Sequence, residues 1–77
     1  MSGFSPTRAL AMERRHILEG EKRVARQEAL VRELTEKGHS SMLPQSNDVL
    51  RLLRESLELS RDHFRYLVGH YGSEPKY

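Results

Sequence analysis

The sequence predicts an all-α fold, an antiparallel two-helix hairpin of the coiled-coil kind, and two patterns carry this prediction. In the C-terminal half, mostly apolar residues recur at alternating steps of three and four, which keeps one seam of a helix against a partner helix. This seam consists of Leu50, Leu53, Leu57, Ser60, Phe64, Leu67 and Tyr71. In the N-terminal half, apolar residues recur at steps of seven, at Leu10, Ile17, Val24 and Val31. The link between them is short, so the two helices must fold back on each other.

The first helix is predicted over residues 6–37. Ser5 is a favourable N-cap, and Pro6 suits the first helical position, where its missing N–H costs nothing. Gly38 then ends the helix, as a glycine in the left-handed conformation commonly does. Residues 1–5 are predicted to be disordered, because nothing in them repeats or anchors the chain.

A turn over residues 38–43 leads to a second helix, which is predicted over residues 44–70. Its start remains open between residues 42 and 48, because Ser41 and the polar residues 46–48 both offer an N-cap. Gly69 and Gly72 both suit its C-terminal end. Residues 72–77 are predicted to form a tail.

The two seams also predict which residues face each other in the hairpin. Aligning them places Leu34 opposite Leu50 near the turn and Glu13 opposite Tyr71 at the open end. Between them, Gly20 faces Phe64. A glycine in the middle of a helix costs about 0.5–1 kcal/mol relative to alanine, and here its missing side chain would leave room for the largest side chain of the seam.

A second stripe on the second helix predicts that the hairpin associates with a second copy. It runs about 100° around the helix from the seam. Its apolar members are Val49, Leu52, Leu59 and Tyr66. A single hairpin gives this helix only one partner, whereas two hairpins related by a two-fold axis cover the stripe in a four-helix bundle. We therefore predict a homodimer, with a monomer or a complex with another protein as alternatives.

Composition limits the function further. The 77 residues contain no cysteine, which excludes disulfides and thiolate sites. No catalytic motif, cofactor motif or glycine-rich phosphate loop is present, so we expect a small non-enzymatic interaction or regulatory module without a cofactor. No apolar run approaches the roughly 18–20 residues that span a bilayer. With no signal-peptide pattern at the N-terminus, the chain is predicted to be cytoplasmic and not bound to a membrane.

Four cations on the first helix suggest an alternative, a nucleic-acid-binding accessory protein. They lie within about 40° on the side away from the seam. These candidate anion-binding residues are Arg8, Arg15, Lys22 and Arg26. However, Glu19 and Glu33 share that side, no aromatic residue is interleaved for base stacking, and the net charge is only +2. These features favour a solvated face, so nucleic acid is not expected as a partner.

The histidines provide two further alternatives. His16, His63 and His70 could fall near one end of the hairpin and bind a transition metal, but no HExxH or paired Glu-x-x-His motif is present, which favours partly exposed histidines without a metal. The segment His16-Ile17-Leu18-Glu19-Gly20 resembles the phosphoacceptor segment of histidine phosphotransfer domains. That resemblance implies phosphorylation of His16, although Glu19 occupies a position where these domains usually have lysine.

A longer pattern resembles a group of short uncharacterised proteins of alphaproteobacteria. It begins with His16-Ile17-x-Glu19-Gly20-Glu21-x-Arg23-Val24-Ala25-Arg26-Gln27 and continues through Leu30-Val31-x-Glu33-Leu34 to Gly38-His39. Leu50, Ser56-Leu57, His63 and Leu67 fit the leucine-rich second helix of that group. The link over residues 40–48 departs from the group because it contains Pro44. The resemblance implies a helical hairpin from a bacterial cytoplasm and supplies no activity.

Overall fold

The computed structural model describes residues 5–71, which form two long helices joined by a tight turn. Helix α1 spans Pro6–Glu36, a single 3-10 turn spans Ser40–Met42, and helix α2 spans Leu43–Tyr71. The two helices pack against each other in opposite directions, which is the predicted all-α hairpin. Of the predicted disordered segment at residues 1–5, residues 1–4 lie outside the described residues, as does the predicted tail at residues 72–77, whereas Ser5 is described and caps α1.

Both ends of α1 are capped as the sequence predicts. At the start, the Ser5 hydroxyl accepts a hydrogen bond from the backbone N–H of Arg8 at 3.2 Å, and Pro6 occupies the first helical position. At the end, Gly38 adopts a positive φ of 76°. The N–H of His39 then donates to the carbonyl of Leu34 at 2.9 Å, which satisfies a carbonyl that the helix leaves free and closes a Schellman motif.

Helix α2 begins close to the early limit of the predicted range. The 3-10 turn leads directly into Leu43, so Pro44 lies in the first helical turn, where proline is tolerated. Ser46 lies inside the helix and is buried instead of capping it. Gly69 is also helical, because α2 continues to Tyr71.

The predicted pairing register is wrong by one heptad. Gly20 faces Leu57, seven residues before the predicted Phe64: a Cβ added to Gly20 would lie 3.1 Å from Leu57 Cδ1. Glu13 is accordingly next to His63 and not opposite Tyr71. The physical reason is the length of the link. The Schellman motif and the 3-10 turn reverse the chain within a few residues, whereas the predicted register needs a longer connection.

The hydrophobic core is a single row of side chains between the helices. Its buried members are Leu34, Leu50, Leu57 and Leu67. The other predicted seam residues are half-buried, at Leu10, Ile17, Val24 and Val31 on α1 and at Leu53, Ser60 and Phe64 on α2. Tyr71 is exposed. Neither helix contains, within the described residues, an apolar stretch that could cross a lipid bilayer.

Candidate interaction site

The hairpin has two different sides, and the position of Gly20 defines them. Successive residues of an α-helix are about 100° apart. Because Gly20 faces Leu57 across the seam, its neighbours Glu19 and Glu21 project to opposite sides of the hairpin. On α2, Ser56 and Glu58 flank Leu57 in the same way. The two sides differ in how the helices meet.

On one side, two ion pairs join the helices directly, and we call this side the ion-paired face. Arg61 Nη2 donates to Glu21 Oε2 at 3.1 Å, and Arg54 Nη2 donates to Glu28 Oε2 at 2.8 Å. Toward the open end, the guanidinium of Arg14 lies 5.5 Å from the ring centre of Phe64, which is within the range of a cation–π interaction. The two ion pairs satisfy four charged side chains of this face within the hairpin.

On the other side, the helices leave a groove of about 350 Å³, and we call this side the groove face. Three of its residues have small side chains or none: Gly20, Ser56 and Ser60. The remaining lining residues are His16, Glu19, Arg23, Leu53 and Leu57. The groove therefore has small residues near its centre and polar residues on its α1 edge.

The predicted interface residues lie outside the lining of this groove and are exposed in the single chain. We call Val49, Leu52, Leu59 and Tyr66 the apolar stripe. Their exposed fractions range from 41% for Val49 to 69% for Leu59. Leu52 and Leu59 lie four residues before and three residues after Ser56, which places them on the same side of α2 as this groove residue. The hairpin thus presents an apolar ridge next to a recess.

A buried carboxylate lies at the open end of the hairpin. Glu13 is only 9% exposed, and burial of an ionised group is costly unless it has a partner. His63 Nδ1 lies 3.1 Å from Glu13 Oε1, and His16 Nδ1 lies 3.8 Å from the same oxygen. The structure therefore brings two of the three predicted histidines together around one carboxylate.

These histidines do not form a recognisable metal centre. His70 is separate from the other two and stacks on Tyr66, with ring centres 5.3 Å apart. Within residues 5–71, no group of three or more His, Asp or Glu side chains is arranged to hold a metal ion. His16 is exposed beside Gly20, but Glu13 and Glu19 border it and would repel a phosphorylated imidazole. Phosphotransfer stays a prediction.

The four predicted anion-binding residues lie together on the outer side of α1, and we call them the basic stripe. The side chains of Arg8, Arg15 and Arg26 are exposed, as is that of Lys22. In the part of the chain that the structure describes, none of the four forms an ion pair. Farther along α1, Lys37 Nζ donates to Glu33 Oε2 at 2.8 Å. That hydrogen bond lowers the pKa of Glu33 and raises the pKa of Lys37.

The sequence pattern missed the contacts that depend on register. The pairs of Glu21 with Arg61 and Glu28 with Arg54 join residues that are 40 and 26 positions apart, so no local spacing indicates them. The groove likewise follows from Gly20 facing Leu57. No family model, curated protein or solved structure matches the chain significantly. These surfaces are therefore interpreted from their geometry.

Proposed function

We propose that this protein is a non-catalytic association module whose groove face pairs with the groove face of a second copy. The observation that carries the proposal is the juxtaposition of an exposed apolar stripe and a recess on one face. A two-fold interface must be complementary to itself. A face with both a ridge of large side chains and a recess lined by small ones meets that requirement.

The dimensions of the chain support an association of this size. Its radius of gyration is 17.3 Å, against about 11.5 Å for a compact domain of this length. Its accessible surface is 5784 Å², which exceeds by about 900 Å² the area expected for a compact monomer of this mass. Each partner in a standard protein interface buries about 800 Å². One dimer interface would therefore remove the excess.

The arrangement of the stripe suggests how two copies would meet. Ser56 and Leu59 lie near its centre, while Val49 and Tyr66 lie near its ends. If the two α2 helices pack antiparallel about an axis at this centre, Leu59 enters the space above the partner subunit's Ser56. The result is a four-helix bundle in which each apolar stripe is covered.

The mass of the protein in solution tests this proposal. We expect light scattering after size-exclusion chromatography to give the mass of two chains for the wild type and of one chain for Leu59→Glu, because a carboxylate would be buried in the interface. Leu18→Glu is the matched control. Leu18 is also exposed, at 54%, but precedes Glu21 by three residues and so lies on the side of the ion-paired face.

Two results would contradict the proposal. One is a wild-type protein that has the mass of a single chain at every concentration and is nevertheless fully helical by circular dichroism. The other is a Leu59→Glu protein that keeps the mass of two chains. A cytoplasmic location and a bacterial origin stay predictions from the sequence.

A further inference from the structure

The charges of α1 and α2 are satisfied to different extents within the hairpin. All four arginines of α2 form ion pairs, namely Arg51, Arg54, Arg61 and Arg65. On α1, the four cations of the basic stripe have no such partner among residues 5–71. Arg14 and Arg32 also form no ion pair there, so the unpaired Lys and Arg side chains of the described residues all lie on α1, and four of them line up in the basic stripe.

The structure also shows where the glutamates of α1 are directed. The sequence placed two of them, Glu19 and Glu33, on the side of the basic stripe, and Glu33 contacts Lys37 instead of a member of the stripe. Glu21 and Glu28 contact arginines of α2 on the ion-paired face, and Glu13 is buried beside His63. Glu19 lies 3.9 Å from Arg23, which is not a member of the stripe. These contacts direct the glutamates to groups outside the basic stripe, which leaves the charges of the stripe available to an anionic partner.

The stripe has the length and straightness of a phosphate-binding surface. Arg8 and Arg26 are 18 residues apart, which corresponds to about 27 Å along a helix at 1.5 Å per residue. That distance equals roughly eight base-pair steps of a duplex at about 3.4 Å each. All four cations lie within about 40° of one another around α1, so one extended polyanion can contact them together.

The residues around the basic stripe favour one of three polyanions, namely a membrane surface, single-stranded nucleic acid or a duplex. A helix that lies on a membrane surface needs a continuous free apolar face beside its cations, and the exposed large apolar side chains of α1, at Met12, Leu18 and Leu30, are scattered singly instead of forming one. Single-stranded nucleic acid is held by stacking of its bases on aromatic rings. Helix α1 contains no Phe, Tyr or Trp. A duplex presents its phosphates on the outside and needs neither feature.

We propose that the basic stripe, Arg8, Arg15, Lys22 and Arg26, binds the phosphate backbone of duplex nucleic acid without reading its base sequence. Each contacted phosphate releases condensed counterions. Binding should therefore weaken steeply with salt and should be indifferent to sequence. The stripe is formed by one α1 helix and borders the groove face, since Arg15 and Lys22 lie four residues before and three residues after the groove residue Glu19.

Fluorescence anisotropy with a labelled DNA duplex of random sequence tests the proposal. Four phosphate contacts predict that affinity falls about 150-fold between 50 and 200 mM salt. For Arg15→Gln/Lys22→Gln, the two remaining contacts predict a fall of about 12-fold over the same range. The matched control is Arg51→Gln/Arg65→Gln, which removes the same charge from α2, and it should behave as the wild type does.

Three outcomes would overturn the proposal. The first is no binding of the duplex at low salt. The second is equal weakening in the control and in the Arg15→Gln/Lys22→Gln protein, which would show that net charge alone is responsible. The third is binding to vesicles that contain phosphatidylserine without binding to the duplex. Both variants change exposed residues, and circular dichroism verifies that they remain helical. Their mass in solution separates this result from the proposed dimerisation.

Discussion

The two sides of the hairpin hold the helices together by different means. On the ion-paired face, Arg54 and Arg61 cross to glutamates of α1, so the charged groups find partners within one chain. On the groove face, Gly20 and Ser56 leave a recess, and Leu59 remains mostly in water. The comparison shows that one side of the molecule joins its helices by ion pairs within one chain, while the other presents an exposed apolar stripe beside a recess.

The largest effect on stability is expected for a leucine of the seam, and it is best measured against a leucine of the apolar stripe. Leu57 is 7% exposed and Leu59 is 69% exposed, yet both are leucines two residues apart. We expect Leu57→Ala to lower the free energy of unfolding by about 2–5 kcal/mol because it leaves a cavity between the helices.

Leu59→Ala is the matched variant, and it should act mainly through association. In urea unfolding followed by circular dichroism, its loss of stability relative to the wild type should depend on protein concentration. If Leu59→Ala and Leu57→Ala cost the same at all concentrations, the distinction between seam and stripe is wrong.

A smaller effect on stability is expected from adding a side chain at Gly20, which lines the recess. A side chain at Gly20 would meet Leu57, whereas a Cβ at Gly69 would have nothing within 4 Å. Gly20→Leu should therefore destabilise the hairpin by about 1–3 kcal/mol through overpacking. Gly69→Leu should stabilise it by about 0.5–1 kcal/mol, because leucine is a better helix former than glycine. Thermal melting measures both, and a Gly20→Leu protein as stable as Gly69→Leu would refute the observed register.

The smallest effect on stability is expected from removing one ion pair of the ion-paired face. Exposed ion pairs contribute about 0.2–1 kcal/mol each, so Glu21→Gln and Glu28→Gln should each lower stability by no more than that. The losses should shrink at high salt, which screens exposed charges. Neither variant should change the mass in solution. If Glu28→Gln dissociated the dimer, the ion-paired face, and not the groove face, would contain the interface.

Much of this fold follows from local signals in the sequence. The cap at Ser5, the proline at position 6 and the positive φ at Gly38 are determined by residues within one turn of each position, and each was predicted. The exposed apolar stripe was also predicted, because it depends only on the period of α2. These features need no knowledge of how the helices are aligned.

The alignment itself was not predicted, and neither were the contacts that depend on it. A seam that repeats every seven residues is satisfied nearly as well when one helix slides by a heptad. What distinguishes the two alignments is the geometry of the link, which takes only a 3-10 turn between Gly38 and Leu43. The groove at Gly20 and the pairing of Glu28 with Arg54 follow from that geometry.

The buried carboxylate of Glu13 has a consequence for the uniqueness of the fold. In the observed alignment, its Oε1 lies 3.1 Å from Nδ1 of His63. If α2 slid by a heptad into the alignment that the seams predict, Glu13 would lose this contact between the helices and keep only His16 of its own helix as a neighbour. We therefore expect Glu13 to contribute little net stability and to act as a device of conformational specificity. It penalises the misaligned hairpin that a purely leucine-rich seam would tolerate.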